Sequence, residues 1–175
     1  LISENANVMA QLDNQKVETD FHNLAAGIAV DKVFAKHGIK HAVSFHRSIK
    51  RAEHFAKQQA TFGRLLGNNG NIENRNISSK LSTGQRTQVI KEFIKDEKSL
   101  ITNARCLTEG VDIPAIDCVV FVDPKQSVVD IVQAAGRAMR QSKQTGKTHG
   151  YILLPVIVPE GSTLEEFAET SDFRA

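Results

Sequence analysis

One stretch near the end of the chain carries polar residues in a pattern that could bind phosphate. In DIVQAAGRAMRQ, residues 130–141, helical spacing places Gln133, Gly136, Arg137 and Arg140 on one face. A guanidinium group stays charged and offers a planar fork of donors to phosphate oxygens. The pattern therefore predicts a polyphosphate site. The solvated face of an ordinary amphipathic helix is the alternative.

Two further features of this helix bear on that choice. Its other face is apolar and includes Val132, which predicts packing of that face against a sheet. Gly136 costs about 1 kcal/mol relative to alanine inside a helix, which predicts that another group approaches the backbone closely there. The arginines also lack acidic partners on their own face, unlike the residues of most surface helices.

A second set of candidate ligands follows the apolar run SLIT, residues 99–102. The loop beyond it contains EGVD, in which Gly110 can take a backbone conformation that other residues avoid. Asp112 supplies a carboxylate after a strand end, where such groups accept hydrogen bonds from ribose hydroxyls. A role in a turn or a helix cap is the alternative for this aspartate.

The elements that position these residues alternate along the chain. Because several strands are apolar throughout, we expect an α/β fold, a three-layer domain with a mainly parallel sheet and helices on both faces. Ligands of such sheets bind outside the carboxyl ends of the strands. We predict helices over 20–37, after a cap at Ser48, after a cap at Ser82 or Thr83, and over 128–141. We predict strands at 41–45, near 76–81, at 99–102, 118–122 and 150–158.

Composition narrows the class of protein. The chain has 175 residues, of which 41% are hydrophobic, and a formal net charge of +2. That charge is too small to indicate a nucleic-acid binder, so any basic surface must be local. No apolar run approaches the roughly 18 residues that span a bilayer, so we expect no membrane segment.

The cysteines and histidines give no metal signature. Cys106 and Cys118 lie in apolar segments. We predict that both are buried free thiols and that the protein is located in the reducing cytoplasm. His37 and His41 lie four residues apart without further ligands beside them, so we expect no metal site.

The tetrapeptide TGKT, residues 145–148, resembles part of a phosphate-binding loop but does not complete it. The position five residues before Gly146 is Gln141 where the pattern needs glycine, and the segment runs from a helix to a strand, the reverse of the required order. The sequence contains neither another such loop nor an acidic pair after a strand. We therefore expect that the chain alone does not hydrolyse ATP.

Taken together, the motifs resemble a known family. NARCLTEGVDIP followed by QAAGRAMR resembles motifs V and VI of superfamily 2 helicases and translocases. AVSFHRSIKRAEHFAK, residues 42–57, resembles motif IV, and STGQRTQVIKEF, residues 82–93, resembles the segment between motifs IV and V. The resemblance covers roughly residues 20–158. The sequences of these motifs are more similar to those of the restriction-enzyme-like bacterial DNA helicase branch than to those of RNA-unwinding DEAD-box proteins.

The resemblance implies that residues 20–158 form the C-terminal RecA-like domain of a two-domain motor. Residues 1–19 would be a linker and 159–175 a tail or the start of another region. In that family, ATP with Mg is bound mainly by an N-terminal RecA-like domain, which this sequence lacks. The resemblance assigns Arg140 as the arginine finger, Arg137 as its companion and Gln133 as a contact near the γ-phosphate. It places Asp112 at the ribose and Gly110 in the supporting loop.

The family also carries a nucleic-acid track across its strand ends. Helix capping by Ser48 and ordinary solvated arginines are the alternative for this region. DNA is expected over RNA because residues 103–105 and Gln133 depart from the DEAD-box pattern. The residues that the resemblance places on this track are Ser44, His46, Arg47, Thr102, Asn103 and Arg105.

The predicted function is the C-terminal motor domain of an ATP-dependent DNA helicase or translocase, inactive alone and partnered by the N-terminal motor domain of its parent chain. Two alternatives stay open. One is a non-enzymatic, stand-alone RecA-like module that binds nucleic acid. The other is the corresponding domain of an RNA helicase.

Overall fold

Five parallel strands form the centre of the structure, a computed structural model that describes residues 21–65, 72–104, 116–123, 132, 136 and 149–155. The strand order is β2-β3-β1-β4-β5. The helices are α1 (Phe21–His37), α2 (Ile49–Leu65) and α3 (Thr83–Lys95). The strands are β1 (His41–Phe45), β2 (Glu73–Ile77), β3 (Ser99–Asn103), β4 (Cys118–Phe121) and β5 (Tyr151–Leu153).

The three central strands are buried along their whole length, as their continuous apolar runs predict. Successive side chains alternate between two cores. Val43, Ile101 and Val119 pack with Phe93 of α3 on one face. The other face packs against α1 and α2 through a core that includes Ala26, Val30, Phe55, Leu100, Cys118 and Val120. The predicted three-layer α/β architecture, with helices on both faces, is confirmed.

The ends of the helices follow the expected signals. Ser82 and Gln85 form a capping box at the start of α3. The hydroxyl of Ser48 accepts the Arg51 N–H at 3.2 Å, which caps α2. After α1, Gly38 has φ of 62°, a conformation that favours glycine, and the chain turns into β1.

Helices α1 and α2 meet along a seam that contains buried polar groups. The Phe62 side chain packs directly on Gly27, where a Cβ atom would lie 2.4 Å from Phe62 Cδ2. Gln59 Nε2 donates to Asp31 Oδ1 at 2.9 Å, and Asn23 Nδ2 donates to Gln58 Oε1 at 3.0 Å. Burial raises the pKa of Asp31 to about 6, against the smaller lowering effect of the Gln59 hydrogen bond.

The prediction of a strand near 76–81 was wrong, because β2 spans Glu73–Ile77 and a turn follows it. Its sequence, ENRNI, shows no apolar alternation. Non-local contacts hold it instead: it pairs in parallel with β3, with Glu73 opposite Ser99. The Arg75 guanidinium binds Asp96 at 2.8 Å and Glu92 at 2.6 Å. The ion pairs fasten this edge strand to α3 and the turn after it.

The other predictions about helices, strands and buried residues were confirmed only in part. Val132 and Gly136 are helical, as predicted. Val132 is 62% exposed, so its predicted packing against the sheet was wrong; single apolar residues on a surface are common. Strand β5 is shorter than the predicted 150–158. Cys118 is buried as expected, whereas Cys106 lies outside the described residues.

Residues 1–19 and 159–175, the predicted flanking regions, also lie outside the described part of the chain. Among the described helices, none has the length and apolar composition needed to cross a bilayer.

Candidate functional site

The carboxyl ends of β3, β1 and β4 lie side by side at one edge of the sheet. Phe45, the last residue of β1, is in register with Asn103 on one side and with Phe121 on the other. Just beyond the strand, the His46 N–H donates to the Asn103 carbonyl at 2.9 Å. Residues that follow these strands therefore meet at this edge, where parallel α/β sheets bind their ligands.

Asp123 connects two of the loops at this edge. Its Oδ2 atom accepts the Arg47 backbone N–H at 3.0 Å and Arg51 Nε at 3.1 Å. Its Oδ1 atom lies 3.0 Å from Arg51 Nη2. The Asp123 side chain is 5% exposed, so these charge-assisted bonds are largely shielded from water. Asp123 thus fixes the β1–α2 loop and the first turn of α2 to the end of β4.

We call the contact between Asp123 and Arg51 the clamp. The imidazole of His46 is buried beside it. His46 Nε2 is 2.9 Å from Ser44 Oγ, and the ring packs on Phe55 at a centroid distance of 5.0 Å. Burial lowers the pKa of His46 to about 4; the nearby Asp123 carboxylate acts in the opposite direction and Arg51 adds to the lowering. His46 is therefore neutral at physiological pH.

Ser44, His46 and Asp123 occur in the order of a nucleophile, a base and an orienting acid, but their geometry does not support that chemistry. Ser44 is 0% exposed, so no substrate reaches its hydroxyl. The distance from His46 Nδ1 to Asp123 Oδ2 is 4.0 Å, longer than a hydrogen bond. The three residues support the edge of the sheet from below.

A second group of hydrogen bonds joins β2 to β3 near the same edge. Asn76 Nδ2 donates to Thr102 Oγ1 at 2.9 Å, and the Thr102 hydroxyl donates to the Arg75 carbonyl at 3.3 Å. Thr102 and Asn103 are both 0% exposed. The Thr102 side chain thus links β2 to β3.

The structure therefore separates the six residues predicted for the nucleic-acid track. Arg47 is exposed at the edge. Arg105 lies outside the described residues. The remaining four lie beneath the surface: Ser44, His46, Thr102 and Asn103.

The nucleotide contacts predicted by the family resemblance fall outside the described residues and remain predictions. They are Gln133, Arg137, Arg140, Gly110 and Asp112. Gly136 lies in the predicted helix over 128–141, and among the described residues no atom comes within 4 Å of a Cβ atom placed on it. Packing against the described part of the domain therefore does not require glycine at this position.

The contact between Asp123 and Arg51 was not predicted from the sequence. A signal was present, because Asp123 directly follows the apolar run CVVFV, as an acid at a strand end. Its partner, 72 residues earlier in the sequence, gave no comparable signal.

Metal ligands are a separate question. Within the described ranges, no cluster of three or more histidine, cysteine or acidic side chains is placed to hold a metal ion. The acid at the strand ends, Asp123, is engaged by Arg51.

Comparison with known proteins places this geometry in a family. The helicase conserved C-terminal domain family matches residues 26–142. The probable helicase A859L of African swine fever virus (isolate Pig/Kenya/KEN-50/1950) is 33% identical over 97 residues, 53% of this chain and 11% of that protein. The ATP-dependent RNA helicase DDX51 of Danio rerio is 32% identical over 74 residues, 42% of this chain and 11% of that protein.

Solved structures show the same fold. The ATP-dependent Type ISP restriction-modification enzyme LlaBIII, bound to DNA, superposes with a TM-score of 0.75 at 26% identity, covering 91% of this chain and 11% of that one. Domain 2 of the DEAD-box helicase Mss116p, bound to an RNA duplex, gives a TM-score of 0.60 at 17% identity, covering 77% of this chain and 49% of that one. These are RecA-like α/β domains. The chain, which spans about a tenth of the relatives it matches (11% of each), belongs to the helicase conserved C-terminal domain family.

Proposed function

We propose that this chain is the C-terminal motor domain of an ATP-dependent DNA helicase or translocase, with residues 20–158 as the domain. The observation that carries the proposal is the superposition of 91% of the chain on a Type ISP restriction-modification enzyme bound to DNA. The family match over residues 26–142 supports the motor assignment. The same superposition supports our proposal of a branch related to restriction enzymes.

In this proposal, the predicted helix over residues 128–141, which we call the arginine helix, acts on the nucleotide. Arg140 is the arginine finger, Arg137 supports it and Gln133 contacts the region of the γ-phosphate. Asp112 and Gly110 form the ribose side of the site. ATP supplies the phosphoryl group and Mg neutralises charge on its oxygens. Both would be held mainly by an N-terminal RecA-like domain of the parent chain. Positioning and charge stabilisation are the main protein contributions to phosphoryl transfer.

The nucleic-acid track in this proposal runs over the strand ends. Arg47 and Arg105 contact phosphates, and such contacts position a strand without reading its sequence. The remaining residues of the track have buried side chains, so in this proposal they support the surface that contacts the strand. They are Ser44, His46, Thr102 and Asn103. Asp123 holds the Arg47 backbone in place at 3.0 Å.

An RNA helicase is the second candidate function. It is favoured by the likeness of 42% of the chain to the RNA helicase DDX51. A non-enzymatic, stand-alone RecA-like module is the third. Comparing how single-stranded DNA, duplex DNA and RNA stimulate the ATPase of the complete protein separates the first two. The absence of ATP turnover with all three would indicate the third.

The finger assignment is tested with Arg140→Ala in the complete protein that contains this chain. Arginine fingers contribute about 10³ to 10⁵ in rate in other NTPases, so DNA-stimulated kcat should fall by about 10³ or more. The dissociation constant for DNA should stay near the wild-type value. Lys95→Ala, on the exposed side of α3, is the matched control and should keep normal turnover. Normal turnover by Arg140→Ala would refute the assignment.

A further inference from the structure

The outer side of α2 carries a row of basic residues. Lys50, His54 and Lys57 recur at intervals of four and three residues, so they lie on one side of the helix, and all three are exposed. The opposite side packs on the sheet and on α1 through the buried residues Ala52, Phe55, Gln58, Gln59 and Phe62.

Arg47 continues this row to the edge of the sheet, where it is exposed just before α2 begins. We call Arg47, Lys50, His54 and Lys57 the basic row. Among the ion pairs of the described residues, none involves a side chain of the basic row. The acid beside it, Glu53, binds Lys80 Nζ at 3.0 Å instead. The positive charges of Arg47, Lys50 and Lys57 are therefore not neutralised by an acid among the described residues.

The basic row has the dimensions of a short piece of nucleic-acid backbone. At 1.5 Å per helical residue, the seven steps from Lys50 to Lys57 span about 10 Å, and Arg47 lies beyond the start of α2. One strand of duplex DNA advances about 3.4 Å per phosphate along its axis, so the helical part of the row spans about three phosphate steps of one strand. Lysine and arginine side chains at this spacing can each meet a different phosphate.

The absence of apolar residues beside the row argues against other partners. The described residues with exposed large hydrophobic side chains are Ile94, Val132, Ile152 and Leu154, and none of these lies on α2. A helix that lies on a membrane needs an apolar face to insert. A protein interface is usually anchored by buried aromatic or aliphatic side chains. A charged and apolar-free row fits a solvated polyanion.

We propose that the basic row binds the phosphate backbone of DNA that leaves the strand-end edge, so that the track continues down the outside of α2. This inference rests on the proposed function, because Arg47 belongs to both surfaces. Contacts of this kind are electrostatic and independent of base sequence. They lengthen the path of the strand on this domain by roughly the length of α2 between Lys50 and Lys57.

The test uses the complete protein that contains this chain. It compares Lys50→Ala/Lys57→Ala with wild type for binding to fluorescently labelled 20-nucleotide single-stranded and duplex DNA, at a series of salt concentrations. Loss of two phosphate contacts should reduce the slope of log K against log salt by about 1.4 for a single strand or about 1.8 for a duplex. Lys91→Ala/Lys95→Ala is the matched control, because both lysines are exposed on α3, which covers the other face of the sheet. The control should keep the wild-type slope.

Several results would overturn the inference. If Lys50→Ala/Lys57→Ala keeps the wild-type slope while Arg47→Ala weakens binding, the row is wrong and the strand-end track stands. Equal loss of slope in the α3 control would show a general charge effect and would also refute the row. Failure of wild type to bind DNA at low salt would overturn both proposals, and a slope change seen only with RNA would replace DNA as the partner. Lys50→Arg/Lys57→Arg should restore the slope, which separates loss of charge from loss of fold.

Discussion

Arg51 binds Asp123 through two hydrogen bonds, from Nε to Oδ2 at 3.1 Å and from Nη2 to Oδ1 at 3.0 Å. This two-point geometry is among the stronger polar contacts that proteins make. It joins the first turn of α2 to the end of β4. In sequence, β4 leads on to the arginine helix, whereas α2 follows the loop that presents Arg47. The pair therefore couples the proposed DNA edge to the strand that precedes the proposed nucleotide residues.

Asp123→Asn tests this coupling. The substitution keeps the shape of the side chain but removes its charge and leaves Arg51 without its two-point partner. We expect the free energy of unfolding to fall by about 1.5 to 3 kcal/mol, as for other hydrogen bonds to charged groups. DNA affinity should fall as well, because the loop that carries Arg47 loses its anchor. Urea denaturation and DNA titration measure the two effects.

The matched control for that prediction is Arg47→Ala. Only the backbone N–H of Arg47 reaches Asp123, and alanine retains it. Stability should therefore stay within about 0.5 kcal/mol of wild type, while DNA affinity falls. If Arg47→Ala unfolds as readily as Asp123→Asn, the side chain of Arg47 stabilises the fold, and loss of DNA affinity in this variant would not indicate a phosphate contact.

Asp31 should make the stability of the domain depend on pH. Its pKa is raised to about 6 in the fold from an ordinary value of 3.8, so the folded state favours the protonated acid. Its contribution to stability is complete below pH about 4 and is lost as pH rises through about 6. A shift of this size corresponds to up to about 3 kcal/mol. Asp31→Asn should therefore stabilise the protein at pH 7.

The measurement is the difference in free energy of unfolding between Asp31→Asn and wild type from pH 4 to pH 8. The difference should grow across this range up to about pH 6 and then level off. The lowered pKa of His46 destabilises the fold as pH falls from 6.5 toward about 4, but this contribution is common to both proteins and cancels. A pH-independent difference would contradict the raised pKa. Glu97→Gln, at an exposed position, is the control and should show no such trend.

Two helical glycines should respond to alanine in opposite ways. At Gly27 a new Cβ atom would lie 2.4 Å from Phe62 Cδ2 and 2.9 Å from Gln59 Oε1. Gly27→Ala should thus destabilise the fold by about 1 to 3 kcal/mol through overpacking. At Gly63, in α2, a Cβ atom meets nothing within 4 Å, so Gly63→Ala should stabilise by about 0.5 to 1 kcal/mol. Thermal denaturation of the two variants side by side tests the seam, and equal effects would disprove it.

Periodicity and caps were sufficient to predict the central architecture. The apolar residues of β1, β3 and β4 predicted that these strands are buried, and Ser48 and Ser82 cap helices through contacts within four residues. Strand β2 was misplaced because its residues are polar and its position depends on Arg75 reaching Asp96, 21 residues later. Local pattern carries no information about such a partner.

In the candidate site too, some features could be predicted from local sequence, whereas others depend on contacts made in the folded chain. The polar residues that follow the strands predicted which edge of the sheet holds the candidate site, because the topology of a parallel sheet fixes where strand ends meet. The burial of Ser44 and Thr102 could not be predicted this way, since a short polar side chain at a strand end can point to solvent or inward. That choice is made by neighbours such as His46 and Asn76, which hydrogen-bond to them in the folded chain.

Gly136→Ala distinguishes a glycine needed by the domain from one needed by a partner. Gly136 is helical, and a Cβ atom there meets nothing within 4 Å. The variant should therefore be more stable than wild type by about 0.5 to 1 kcal/mol, since alanine favours the helix. If the nucleotide or the N-terminal domain approaches this backbone, as glycine inside the predicted helix indicates, DNA-stimulated ATP turnover of the complete protein should fall nonetheless. Gly63→Ala controls for stabilisation alone and should leave turnover unchanged. Full turnover in Gly136→Ala would show that the glycine serves neither the fold nor the nucleotide site.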